Sequence, residues 1–386
     1  MKQIVIKNIE LRNTSIYSQI SIDDVEDEII ISLSDNVVRY AVTECVDSIV
    51  MGLILFAIRN GYDIVSELPI TDTLLYNLKY HFIKVFATAN GLYETRIIAP
   101  TIPKLESSKQ IVSTGVSCGV DSLYTICLHS HEDIPNQYKL THLTFLNAGS
   151  HHGAKGVSED IYEGRRKHVM DFCKCIKMPL IEMTSTLPDF IERHDPMGYS
   201  HVNYHTFMTI SSMLAIQKGM AFYYYSSGYG YKDFNCHYPA TGEFDASLFD
   251  LLTLKIASFG TIVFSSFGGD TLRIDKVKYI SQFPKEAEYL NVCVSGIENC
   301  GKCFKCSRTL LEIDALGQLT VFEKAFDIKA YKKNREKTLQ WLYIQHLKRD
   351  SFAKELMPVM KDEFTMPFKI KAVVNKIFSI IKNRFL

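Results

Sequence analysis

From Gln110 onward, short β-branched or aromatic runs alternate with stretches of helical periodicity, and few folds accommodate that alternation. The runs are IVSTGV, LTFLNA, PLIEMTS, AFYYYSSG and TIVFSS, and residues 123–129, 161–176, 203–218 and 246–257 lie between them. Strands separated by helices predict an α/β fold built on a parallel sheet with right-handed crossovers. In such sheets ligands collect beyond the carboxyl ends of the strands, so the loops there are where chemistry is expected.

The rest of the chain follows a different grammar. Residues 1–100 show strand-like runs at 4–11 and 28–33, helical patterns at 37–59 and 71–88, and a short apolar run at 95–98, which together predict a small N-terminal α+β domain. The segment APTIPKLESSK, residues 99–109, reads as a linker. Residues 110–317 then form the α/β domain, and residues 318–386 a helical, basic C-terminal extension. With 47% hydrophobic and 22% charged residues, the 386-residue chain is excluded from the disordered and low-complexity classes.

Lys and Arg equal Asp and Glu at 43 each, so global charge does not point to a nucleic-acid partner. The balance is uneven along the chain. From Tyr331 onward there are 13 basic against 5 acidic residues, which leaves residues 1–330 net acidic. The N-terminus reads as a strand with no secretory apolar core, so a cytoplasmic location is expected. Residues 49–58 are the most apolar run, too short to span a bilayer, and predict a buried helix.

The first strand of the α/β region runs into Ser117-Cys118-Gly119-Val120-Asp121-Ser122, and a helix follows. A strand, a tight polar turn and a helix start make an anion site, because the first-turn amides are unpaired and the helix dipole is positive there. The turn is neither a Walker loop nor a dinucleotide fingerprint. An ordinary β-to-helix turn with a Ser/Asp cap remains the alternative.

A second signal lies at Cys293, Cys300, Cys303 and Cys306, where C-x2-C-x2-C is preceded by a fourth cysteine. Four thiolates fill a tetrahedral Zn²⁺ site and leave no open position, which makes the metal structural. An iron–sulfur cluster uses the same ligands and stays open as the rival.

Loop and cluster together resemble the PP-loop ATP pyrophosphatases, and within them the 7-cyano-7-deazaguanine synthase branch. That resemblance implies a doubly wound, mostly parallel, Rossmann-like sheet of the HUP type, and it covers residues 110–317. It assigns Ser117, Ser122 and the loop amides, Gly119 among them, to the pyrophosphate end of ATP, and Asp121 to its Mg²⁺. Cys118 stands where the family has glycine, a costly exchange if φ is positive there. Further counterparts are Asn147-Ala148-Gly149-Ser150-His151-His152, the loop from Ser227 to Asp233, and Arg273 before Lys276. Gly149, His151 and Asp233 thus join the loop residues as nucleotide-binding candidates, with Asp121, Ser122 and Arg273 as the catalytic ones. The family's Arg-Asn pair is absent before the next helix, where His201 and His205 are spaced to share one helical face and hold an anion or a metal.

The activity the resemblance implies is ATP-dependent adenylation of a deazapurine-like carboxylate, releasing pyrophosphate before attack by ammonia or an amine. A runner-up is ligation to a protein or peptide, as in bacterial antiviral defence systems, with residues 1–100 holding the acceptor. tRNA sulfur transfer, which would call on cysteines such as Cys173 and Cys175, and a catalytically inactive nucleotide binder are further alternatives, and a homodimer is left open. Residues 366–386 form an amphipathic helix with Ile370, Val373, Val374, Ile377, Ile380 and Ile381 on one stripe. Docking of that stripe on the protein's own core is expected, in preference to a membrane or a partner groove.

Overall fold

The computed structural model describes residues 2–150, 159–237, 244–260 and 262–384. His151 and His152 therefore lie outside the described residues. Contacts divide the chain into two units, residues 1–116 with 128–270, and residues 117–127 with 271–386.

The first unit is built on a ten-stranded, mostly parallel sheet. Its strands are β1 (Gln3–Arg12), β2 (Ser15–Ile22), β3 (Val25–Leu33), β4 (Asp63–Ser66), β6 (Ile97–Ile98), β8 (Ile111–Gly115), β9 (His142–Asn147), β10 (Leu180–Ser185), β11 (Met220–Ser226) and β12 (Val263–Phe267). Two short strands, β5 (Ile70–Thr71) and β7 (Thr101–Ile102), pair separately. The order is β12-β11-β8-β9-β10-β3-β2-β1-β4-β6. Strands β8 to β12 are the five expected from the sequence, all parallel to their neighbours among themselves. Counted from β8, their order is that of a doubly wound sheet, and it reverses between β8 and β11, the place where such sheets bind ligands.

The small separate N-terminal domain is not what forms. Residues 1–116 belong to the same unit as the sheet, and β3 pairs antiparallel with β10 through Met183 and Leu33. The cause is an open edge: β10 would otherwise expose unpaired backbone groups, and the β1–β2–β3 meander covers it. Strand β2 escapes a hydrophobicity scan because SIYSQISI carries three serines and a glutamine.

The helices are α1 (Asp47–Asn60), α2 (Asp72–Asn77), α3 (Lys84–Asn90), α4 (Val120–His131), α5 (Glu159–Ile176), α6 (Leu187–His194), α7 (His201–Leu214), α8 (Asp250–Ile256), α9 (Arg273–Ile280), α10 (Pro284–Ala287), α11 (Phe304–Ala315), α12 (Ile328–Leu347), α13 (Ser351–Leu356) and α14 (Met366–Arg384). The apolar run in α1 is buried from Asp47 to Ile58, as its composition predicts. It packs against α7, where a buried polar group closes the contact. Arg59 Nη1 lies 3.4 Å from Asp195 Oδ2 and donates to Tyr204 Oη at 2.9 Å, and Tyr204 Oη donates to Asp195 at 3.2 Å. Replacing one member of a buried pair strands the other charge. Arg59→Met should therefore lower stability by about 3–5 kcal/mol in urea unfolding, whereas an exposed pair such as Lys324–Glu288 should cost under about 1 kcal/mol.

Candidate functional site

The loop after β8 is shaped by one residue in an unfavourable conformation. Cys118 is fully buried and has φ of +55°, the left-handed region that a glycine would occupy without strain. Its carbonyl accepts from the Asn291 amide at 2.8 Å, which pins the turn. Ser117 Oγ lies 3.3 Å from Ser122 Oγ and accepts from the Gly119 amide at 3.3 Å. Ser122 Oγ also donates to the Gly119 carbonyl at 3.2 Å. Val120 begins α4, so the loop delivers its amides to a helix start.

Asp121, in the first turn of α4, is the centre of a cation cluster within the second unit. Lys276 Nζ donates to Asp121 Oδ1 at 2.7 Å, and Arg273 Nη1 donates to Oδ2 at 3.5 Å. Burial pushes the Asp121 carboxyl upward, but Lys276 and then Arg273 outweigh it and hold it below its ordinary value. Arg273 opens α9, so the i, i+3 spacing puts both cations on one side of that helix.

Two residues of α11 complete the cluster. Arg308 is 9% exposed, stacks on the Phe352 ring at 3.7 Å, and is depressed to about 10 by burial and by repulsion from Arg273. Glu312, one turn later and buried, lies 3.3 Å from Arg273 Nε; burial raises its carboxyl above the ordinary value. Desolvation, Arg308 and Arg273 together depress Lys305. Asp350 acts on Arg308 and Glu355 on Glu312, so the cations Lys276, Arg273, Lys305 and Arg308 stand among the carboxylates Asp121, Glu312, Asp350 and Glu355. Arg273 Nε, Arg308 Nε and Glu312 Oε2 are buried without a hydrogen-bond partner among the described residues. Buried guanidinium nitrogens that lack a hydrogen bond are donors that an anionic oxygen could satisfy.

The cysteines converge beside this helix. The sulfurs of Cys293, Cys300, Cys303 and Cys306 all lie within 4.8 Å of one another, a group that can hold a metal such as zinc. Backbone amides point at the sulfurs: Lys302 and Cys303 donate to Cys300, Cys306 to Cys303, and Ser295 to Cys293. Burial works against ionisation of Cys300, yet the amides of Cys303 and Lys302 bring its thiol down to about 7. Gly301 supplies the turn at φ of +66°. Cys303 caps α11, so the cluster fixes the start of the helix that carries Arg308 and Glu312.

The remaining candidates lie in the first unit. Gly149 follows β9 with φ of +113°, and a Cβ there would meet the Tyr199 hydroxyl at 1.8 Å, so only glycine fits. Asp233 ends the turn Tyr231–Asp233, whose Tyr231 amide and hydroxyl bond to the Gly269 and Ser266 carbonyls. His205 is not a free anion or metal ligand, because both ring nitrogens are engaged. Nε2 lies 3.0 Å from Asp245 Oδ1 and Nδ1 contacts Tyr225 Oη. Burial alone would raise Asp245, but His205 brings its carboxyl down to about 2. An ionised Asp245 makes Nε2 the donor and leaves Nδ1 to accept from the phenol. Nearby Asp250 is pushed up to about 6 by burial, which Ser227 and Ser266 only partly offset.

Lys305 and Glu312 are not separable from other charges in the sequence, whereas Lys276 follows Arg273 and Arg308 follows the fourth cysteine within the stretches that carry the resemblance. No protein-family model, curated protein or solved structure matches the chain.

Left-handed backbone disfavours β-branching, so Cys118→Val should destabilise by about 1–3 kcal/mol. Cys118→Gly should stay within about 1 kcal/mol of wild type, because relief of strain offsets lost burial. Thermal unfolding of the two variants checks the contrast.

Proposed function

We propose that the protein is an ATP-dependent ligase of the PP-loop kind: it adenylates a carboxylate, releases pyrophosphate, and lets ammonia or an amine displace AMP. The observation that carries this reading is the cation cluster on Asp121, with its unpartnered buried guanidinium nitrogens, gathered at the start of the helix that follows β8.

A carboxylate resists amines because attack must add electrons to a group that is already anionic and resonance-stabilised. Adenylation turns one oxygen into a leaving group. The energetic demand falls on the phosphates, where negative charge grows on the departing pyrophosphate as the α-phosphate is attacked. Amides of the Ser117–Ser122 loop, with both serine hydroxyls, bind that end. Arg273 and Arg308 direct their guanidinium groups to the β- and γ-phosphate oxygens, and Lys276 exchanges part of its bond to Asp121 for one to phosphate. Preorganised charge of this type usually supplies the largest share of catalysis. Mg²⁺, when bound with ATP, would neutralise phosphate charge; Asp121, the carboxylate the resemblance assigns to it, would give up part of its contact with Lys276 or Arg273 to hold it. Glu312 keeps Arg273 in orientation.

We assign zinc to the four cysteines, in a closed structural site that steadies the start of α11. Sulfur transfer is disfavoured because Cys173 is buried, and burial with Glu182 nearby pushes its thiol up to about 12, far from a nucleophilic thiolate. The substrate is a small carboxylic acid, with a deazapurine carboxylate the first to test. A protein acceptor, as in ligation or defence systems, is the other class, and the protein's location is assigned to the cytoplasm.

Incubation with Mg-ATP, 7-carboxy-7-deazaguanine and ammonium should release AMP and pyrophosphate in equal amounts. Lys276→Met should lower kcat/KM by about 100- to 1000-fold, with circular dichroism showing a variant still folded at the assay temperature but of lower Tm than wild type, because Asp121 loses one of its two cations. ADP and phosphate, or no turnover with either acid or protein acceptors, would refute the reading. Elemental analysis should find one zinc per chain and no iron or inorganic sulfide. Chelation or Cys306→Ser should lower Tm, and an unchanged Tm would contradict a structural metal.

A further inference from the structure

The C-terminal helix is attached by its polar side. Ala372 is 1% exposed, Asn375 Nδ2 donates to Gln340 Oε1 at 2.9 Å, and Lys371 Nζ pairs with Glu336 Oε1 at 2.6 Å, all against α12. Phe368 meets Phe364 edge-on, and Phe364 stacks on Tyr343 of α12. The expectation that the apolar stripe docks on the protein's own core is therefore overturned, because Ala372, Phe368 and Asn375 already occupy the contact.

The stripe faces solvent instead. Ile370 is 59% exposed, Val374 41%, Ile377 51%, Phe378 66%, Ile380 45% and Ile381 46%. Positions 370, 374, 377 and 381 follow a helical repeat, and with 378 and 380 the apolar arc spans roughly 160° at 100° per residue. On the same helical wheel Lys369 and Lys376 fall at one margin of the arc and Lys371 at the other. Residues 366–386 contain five Lys/Arg and no Asp or Glu. Among the described residues no helix is long and apolar enough to cross a membrane.

We propose that α14 is a surface anchor that lies in the plane of an anionic phospholipid bilayer, its apolar arc sunk below the headgroups and its lysines at their level. Charge complementarity selects this occupant. Lys369 and Lys376 on one margin reach a sheet of anionic headgroups while their alkyl stems stay in the apolar layer, and Lys371 on the other margin is shared with Glu336 of α12. A second copy of the chain would bring together lysine rows of the same sign, which repel. A coiled-coil seam uses a narrower stripe than this arc. The anchor would hold the second unit, and the cation cluster within it, at a membrane surface.

The test uses the full chain and needs no turnover. In vesicle flotation, wild type should rise with vesicles of equal phosphatidylglycerol and phosphatidylcholine, and bind phosphatidylcholine alone at least about tenfold more weakly. Ile377→Asp with Phe378→Asp should abolish flotation without shifting Tm, because both residues are exposed. Lys369→Glu with Lys376→Glu should remove the preference for anionic lipid. Absence of wild-type flotation, or equal flotation of the aspartate variant, would overturn the proposal. So would a lipid-independent dimer in analytical ultracentrifugation that the aspartate variant dissociates, since a second copy would then cover the face.

Discussion

The carboxylate of Asp121, held by Lys276 and Arg273, is the interaction around which the second unit is organised. Taking charges out of water is costly, and a buried pair survives only when further bonds complete it. Here the completion is partial on one side. Lys276 is satisfied by Asp121, whereas Arg308 Nε makes no hydrogen bond and Arg273 Nε has only its 3.3 Å ion pair with Glu312. Buried guanidinium nitrogens without a hydrogen bond are costly, and an anionic ligand would complete them.

Several features support that centre. The loop after β8 is pinned at Cys118 by the Asn291 amide, which keeps a strained turn in place. The cysteine group sets the first turn of α11, and α11 presents Arg308 and Glu312 one turn apart. Helix α13 contributes Glu355, which accepts from the Ile274 amide at the start of α9. In each case rigid backbone fixes a charged side chain whose own flexibility would otherwise dilute its effect.

What could be read in the sequence was local, and what could not depended on distant contacts. The strand, turn and helix at 111–131 were legible because each piece signals itself within a few residues, and so were the four cysteines, whose spacing is their signal. Whether φ is positive at Cys118 was not legible, since cysteine itself disfavours that conformation. Attachment of β1–β3 to β10 was not legible, since edge pairing is set by what is left uncovered elsewhere. Lys305 and Glu312 look like any surface charge in the sequence, and the bond of Lys276 to Asp121 exists only because the fold brings α9 to the start of α4. The face of α14 shows the same limit: periodicity identified the apolar side, but only packing against α12 showed that the protein leaves it bare.

The account turns on whether phosphate occupies the charged cradle. A crystal structure with α,β-methylene ATP would show this directly. The account predicts β- and γ-phosphates against the amides of Gly119 to Ser122, with Arg273 and Arg308 Nε donating to their oxygens. Phosphates bound elsewhere, or an Asp121 cluster unchanged with both Nε atoms still idle at saturating analogue, would contradict it.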